Sequence, residues 1–248
     1  MKRIFWSISI GLALLSLVLS GCAQKTAKVI IATDATWPPF EHVNEQTKEI
    51  EGFDIDLIKA IAEKEDLEIE ILNVAWDPLL AGVAQCQYDA AISSISITPE
   101  RAEEMLFSDS YFQVGQLVTV HKDNTDIKSK DDLAGKVAGA QIGTTGSFAV
   151  EDIDGATLRT YDDIGLAFQD LINGQIDAVI ADNPLAYGYI GNNPDKLKSV
   201  GDLFTSEEIG IAVCKNNPEL LEKINSGLES VMAEGLIEQL IDKWLVAE

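Results

Sequence analysis

Two segments of the chain, 79-LLAGVAQCQYDAAISS-94 and 167-AFQDLINGQIDAVIAD-182, share one pattern. Each runs through apolar residues at helical spacing, then Gln-x-Asp-Ala, then a short apolar stretch that ends in polar residues. Asp89-Ala90 is matched by Asp177-Ala178, 88 residues later. Each segment predicts an amphipathic helix that turns into a strand. Two occurrences are too few for a stacked solenoid. They fit two related α/β lobes, each built around its own parallel sheet.

The rest of the chain extends this scheme. The run 28-KVIIAT-33 reads as a first strand, closed by the turn-rich 34-DATWPP-39. Phe53 to Lys64 has helical spacing, with Ile55, Ile58, Ile61 and Ala62 on one face, and 68–74 is the next strand. A second strand-turn-helix unit begins near Leu133 and turns at 143-GTTG-146. The runs 114-VGQLVTVH-121 and 209-IGIAV-213 are candidate strands crossing between the lobes, and 219–244 is helical with a break near Gly235. Two crossings make lobe 1 discontinuous, with 23–113 and 206–248 in lobe 1 and 114–205 in lobe 2.

In open α/β sheets, ligands sit beyond the carboxyl ends of the strands. Four such ends are marked by polar residues: Asp34 to Trp37, Ser93 to Ser96, Gly143 to Ser147, and Asp182. Two belong to each lobe, so a cleft between lobes would collect all four. In 87-QYDAAISSISITPER-101, three serines and an arginine follow an apolar strand. That is either a strand end with a helix cap, or a site built for a carboxylate.

Residues 1–22 read MKRIFWSISIGLALLSLVLSGC, two basic residues before an apolar run and small residues, which is a secretory signal peptide. The ending Leu19-Ser20-Gly21-Cys22 resembles a lipobox, with Cys22 acylated, so an exported cell-envelope lipoprotein is expected. About 226 residues remain, enough for one large domain or two small ones. Without Lys2 and Arg3 there are 16 basic residues against 41 acidic, a formal charge of −25. Nucleic acid and anionic membrane surfaces, which need basic patches, are excluded as partners. Cys86 and Cys214 are left, far apart, with His42 and His121 isolated, so no metal site and no cofactor are expected. The cysteines either pair or stay free, and free thiols are the expectation. His42 and His121 read as surface or turn residues, and Trp244 as packing.

Several ordered stretches resemble the amino-acid-binding proteins of ABC importers, solute-binding protein family 3: TDATWPPFE (33–41), GFDIDLIKAIA (52–62), DAAISSISITPERAEEMLFSDSYF (89–112), GTTG (143–146) and DAVIADNPLA (177–186). The resemblance implies a two-lobed type II periplasmic-binding-protein fold, α/β, with lobes joined by two crossing strands and one ligand held between them. It implies that Arg101 grips the ligand's α-carboxylate, as its planar fork of donors suits, and that Thr145 clamps the same group from the other lobe. Asp182 would take the α-ammonium with the Ser94 carbonyl or the Ser96 hydroxyl, and Ser93 belongs to the same serine run. Trp37 and Trp76 stand where relatives place aromatic groups against the ligand, with Phe53 on the same wall. Asp34 stands where binders of basic amino acids carry a carboxylate, and the Ser-Ser-Ile-Ser run looks most like the lysine/arginine/histidine type. Arginine is the first expectation, and glutamine the alternative, since Asp34 also occurs in glutamine binders. The implied partners are an ABC permease and, through Cys22, the membrane, with the protein itself a monomer.

Two other classes fit less well. A dehydratase on the same fold would need a general acid in the cleft, and after Asp182 the chain offers only Asn183-Pro184-Leu185. A hydrolase lacks a G-x-S-x-G elbow or a partnered histidine. A receptor sensor domain would need a membrane helix and a signalling domain after the lobes, and neither is expected beyond Trp244.

Overall fold

The structure is a computed structural model and describes residues 28–245; the expected signal peptide and Cys22 lie outside them. Two five-stranded sheets organise the chain. The first has the order Ile69–Asn73, Val29–Thr33, Ala90–Ala91, Ala212–Val213, Leu106–Phe107. The second has the order Thr157–Tyr161, Val137–Gln141, Ala178–Asp182, Gln116–His121, Leu197–Val200. In each, the first three strands are parallel, the fourth runs against them, and the fifth, antiparallel to the fourth, runs in their direction again.

The sequence repeat has a structural cause. Asp89 sits at the start of its strand, where its carboxylate accepts from the Ile30 N–H at 2.8 Å and its own N–H donates to the Ile30 carbonyl at 3.0 Å. Asp177 makes the same pair of bonds with Val137, at 2.7 and 2.9 Å. The repeated aspartate satisfies backbone donors that a strand start leaves open. It thereby pins the third strand of each sheet to its neighbour, the second.

The helix Phe53–Lys64 buries Leu57, Ile58 and Ile61 against the first sheet and the helix Pro218–Ala233. The C-terminal helical segment breaks at Gly235, which adopts φ 71° between Pro218–Ala233 and Leu236–Trp244. Trp244 packs over Asp56 and donates its indole N–H to that carboxylate at 2.8 Å.

The crossing between lobes is shorter than the apolar runs suggest. Phe112–Val114 and Glu207–Ile209 form a separate antiparallel pair, with Glu207 opposite Val114. Gln116–His121 is instead a strand inside the second sheet, buried on both faces, and Ala212–Val213 lies inside the first. An apolar run is what a doubly covered strand needs, so its length reports burial rather than crossing. Gly115 follows the crossing because a Cβ there would lie 2.4 Å from the Thr205 carbonyl of the returning segment.

Cys86 and Cys214 form a disulfide, against the expectation of free thiols. Val213 pairs with Ala90 in register, and the Cys214 N–H donates to the Asp89 carbonyl at 2.9 Å. Sheet order thus brings together two cysteines that are 128 residues apart. Replacing both by serine is expected to cost about 2–4 kcal/mol, because the bridge restricts a long loop of the unfolded chain. Urea unfolding of oxidised wild type against the double variant measures it.

Candidate functional site

The polar strand ends converge where the two lobes meet, and the lobes are closed on one another. Asp34, 2% exposed, ends the first strand. Its carboxylate accepts from Thr36 Oγ1 at 3.0 Å and from Gln141 Nε2 of the second lobe at 2.8 Å. Burial raises its pKa, while the bonds from Gln141 and Thr36 work against that shift. The Trp37 indole N–H donates to Gln141 Oε1, and the ring packs into the second lobe beside Leu117 and Phe168. Trp37 and Trp76 face each other with centroids 6.5 Å apart and planes 25° from parallel.

The stretch from Ser93 to Arg101 resolves into distinct tasks. Ser93 Oγ accepts from the Asp34 N–H and donates to Glu41, both at 2.9 Å, so its hydroxyl is spent inside lobe 1. Ser94 has a left-handed backbone, φ 47°, an uncommon conformation for a residue with a side chain. Its N–H donates to Asp54 at 2.7 Å, which holds it there. Thr98 caps the short helix Pro99–Glu104 by accepting from the Arg101 N–H at 3.2 Å, and Pro99 suits the first turn. That cap sets the root of the Arg101 side chain. Arg101 Nη1 donates to the Ser96 carbonyl at 2.8 Å and Nη2 to the Gly143 carbonyl of the other lobe at 3.2 Å. Its guanidinium lies 5.2 Å from the Trp76 ring centroid. Burial lowers its pKa, and the charges of Asp182, Glu207 and Glu100 oppose this.

Across the cleft, Gly143 adopts φ 68° and approaches lobe 1 closely; a Cβ there would lie 2.8 Å from Asp77 Oδ1. Thr145 opens the next helix, and its Oγ1 accepts from Gln116 Nε2 at 3.2 Å. Asp182 stands at the start of the helix Asn183–Asn192 but makes no capping bond. It is 3% exposed, and its Oδ1 accepts from Gln116 Nε2 at 2.6 Å. Burial first, then the charge of Glu207, pushes its pKa to about 7; Gln116 and Arg101 pull the other way.

Nine of the ten expected binding residues therefore border the closed interface or the shell just behind it. Phe53 does not. It is fully buried in lobe 1, in an aromatic cluster with Phe40, Tyr111 and Phe112 at centroid distances of 5.6, 6.2 and 5.7 Å. As the first residue of its helix it faces the core rather than the cleft wall. Three polar residues of the site, the buried Gln116 and Gln141 and the half-buried Glu207, are absent from the expected set. A glutamine inside an otherwise apolar run was the available signal for Gln116.

Behind the serines lies a buried acid pair. Asp54 accepts from the Tyr111 hydroxyl at 2.8 and 2.9 Å as well as from Ser94. Glu41 and Asp54 are both fully buried; burial pushes Asp54 to about 6 and, with the neighbouring Asp54 charge, holds Glu41 well above the carboxylate range. The GFDIDL and PPFE motifs thus meet as a support for Ser93 and Ser94. Among the described residues no cluster of His, Cys, Asp and Glu could hold a metal ion.

Comparison with known proteins agrees with this geometry. Residues 29–247 match the family described as bacterial extracellular solute-binding proteins, family 3. The chain is 35% identical over 228 residues to ABC transporter arginine-binding protein 1 of Escherichia coli K12, covering 90% of this chain and 92% of that one. An ancestral arginine-binding protein bound to arginine superposes with a TM-score of 0.84 at 39% identity, over 88% of this chain and 98% of the other. The structure of an ancestral arginine-binding protein bound to glutamine gives 0.83 at 40% identity, over 88% and 97%. These relatives are binding proteins rather than enzymes. The chain belongs to family 3 of the bacterial extracellular solute-binding proteins, the amino-acid-binding proteins of ABC importers, and has the two-lobed type II fold.

Proposed function

We propose that this protein captures free L-arginine between its lobes and delivers it to an ABC permease, as a monomer anchored to the membrane by a lipid on Cys22. The observation that carries the reading is the set of buried charges in one closed cleft. Arg101 offers a guanidinium fork to an α-carboxylate, with the Thr145 hydroxyl opposite it. Asp182 offers a carboxylate to an α-ammonium. Two facing tryptophans with Asp34 beside them suit a flat, cationic side chain, because a guanidinium stacks on aromatic faces and pairs with carboxylates. Lobe 1 (23–113 and 206–248) and lobe 2 (114–205) would open and close at the two crossing strands. The ligand would favour the closed form through contacts to both lobes.

Glutamine is the second reading, and one contact favours it. The side-chain amide of Gln141 already bonds both Asp34 and Trp37, so this corner accommodates an amide. Asp34→Asn separates the two. It is expected to weaken arginine binding by about 10- to 100-fold, the range for a lost bond to a charged group, and glutamine binding by much less. Equal loss for both ligands, measured by titration calorimetry, removes the argument for a basic ligand.

A further inference from the structure

Glu207 lies in the returning crossing strand, opposite Val114, and its carboxylate is turned into the cleft. Its Oε2 accepts from Ser96 Oγ at 2.7 Å. Its Oε1 accepts from Thr205 Oγ1 at 2.6 Å and from Gln116 Nε2 at 3.1 Å. The same Gln116 nitrogen donates to Asp182 Oδ1. One amide nitrogen therefore ties together two carboxylates, whose nearest oxygens are no farther apart than those two bonds laid end to end. Holding two such charges together is costly without a cation between them. Arg101 is near, but its bonds go to the Ser96 and Gly143 carbonyls. Among the described residues neither carboxylate makes an ion pair.

We propose that Glu207 is a second carboxylate of the subsite that takes the ligand's α-ammonium group, beside Asp182, and that it helps restrict the cleft to α-amino acids. The inference rests on the reading that the ligand is an α-amino acid. An ammonium carries three N–H donors. Asp182, Glu207 and Ser96 Oγ supply three acceptors. The single Ser96 hydroxyl proton is given to Glu207, which leaves the oxygen lone pairs free to accept. Burial disfavours the ionised form of Glu207, but bonds from Thr205, Thr145, Ser96 and Gln116 outweigh it and hold the pKa below the usual value. The acceptors also come from different parts of the molecule: Ser96 from lobe 1, Asp182 from lobe 2, and Glu207 from the crossing between them. The subsite is complete only when the lobes are closed.

The test is calorimetry of wild type and Glu207→Gln with L-arginine and with 5-guanidinopentanoate, which is arginine without its α-amino group. The variant is expected to bind arginine about 10- to 100-fold more weakly, with affinity for 5-guanidinopentanoate unchanged or raised. The pH profile gives a second readout. Asp182, faced by Glu207, Arg101 and Gln116, holds a proton below about pH 7 in the free protein. An ammonium displaces that proton, so wild-type affinity for arginine falls as the pH drops below about 7. Without the Glu207 charge, the fall begins at lower pH. Equal weakening of both ligands, or unchanged arginine affinity with an unshifted profile, overturns the proposal. Should the variant fail to fold, carboxylate ¹³C NMR of wild type replaces it: the Glu207 resonance moves with arginine and not with 5-guanidinopentanoate, and a resonance indifferent to arginine overturns it. If wild type prefers another α-amino acid, that acid and its desamino form take the same places. A wild type that binds no α-amino acid defeats the underlying reading together with the proposal. A wild type that binds one while the variant shows no selective loss defeats the proposal alone.

Discussion

Arg101→Ala is expected to weaken amino-acid binding by about 100-fold or more, because truncating one partner of a buried, hydrogen-bonded charge pair removes several kcal/mol. The fold should survive, since among the described residues the Arg101 side chain bonds only the Ser96 and Gly143 carbonyls and stacks on Trp76, and far-UV circular dichroism checks this. Loss of the Gly143 bond also removes one tie between the lobes, so the open form should gain population. Arg101→Lys is the informative companion. It keeps the charge but not the planar fork, and is expected to fall between wild type and alanine in the same titrations. Near-wild-type affinity for Arg101→Ala would remove the carboxylate from this end of the cleft.

Asp54→Ala is expected to cost about 2 kcal/mol or more, because it leaves the Tyr111 hydroxyl and the Ser94 N–H buried without their partner, at about 1–3 kcal/mol each. Affinity should fall with it, as Asp54 is what holds Ser94 in its left-handed conformation. Glu41→Gln behaves differently. Burial keeps the Glu41 carboxyl protonated, so a neutral amide of the same shape is expected to stay within about 1 kcal/mol of wild type at pH 4.5. The sign of the pH effect follows from linkage. Glu41 and Asp54 have folded pKa values raised above their unfolded ones, so their contribution is fully present below about pH 4. It is lost as the pH rises, through about 6 for Asp54 and higher for Glu41. The acidic surface gives a slope of the same sign, and comparison with Glu41→Gln isolates the buried group. Above about pH 4.3 the variant should gain on wild type by about 1.4 kcal/mol per pH unit until Glu41 ionises in the folded state. Parallel pH profiles of thermal stability for the two proteins would contradict a protonated Glu41.

How much of this was legible in the sequence depended on whether a feature was local. The helix Phe53–Lys64 and the break at Gly235 follow from periodicity and one glycine, and both appear where the spacing places them. The repeat announced two related sheets, although the reason for its aspartate became visible only when Asp89 and Asp177 were seen bonding a neighbouring strand. The disulfide was not readable, because the adjacency of Cys86 and Cys214 depends on which strand lies beside Ala90–Ala91. Phe53 was misplaced because a residue at a helix start can face either way, and here Phe40, Tyr111 and Phe112 receive it. Gln141 and Glu207 are single polar residues at strand ends or crossings, and in the sequence such residues resemble solvent-facing positions. Only the closed approach of the lobes turns them inward.

The most direct measurement is calorimetry of residues 23–248 against the twenty amino acids, after unfolding and refolding with the Cys86–Cys214 bridge kept oxidised to strip any carried ligand. The account predicts tight, one-to-one binding of arginine, weaker binding of lysine, histidine or glutamine, and none for arginine analogues lacking the α-carboxylate. Absence of heat with every amino acid would contradict it.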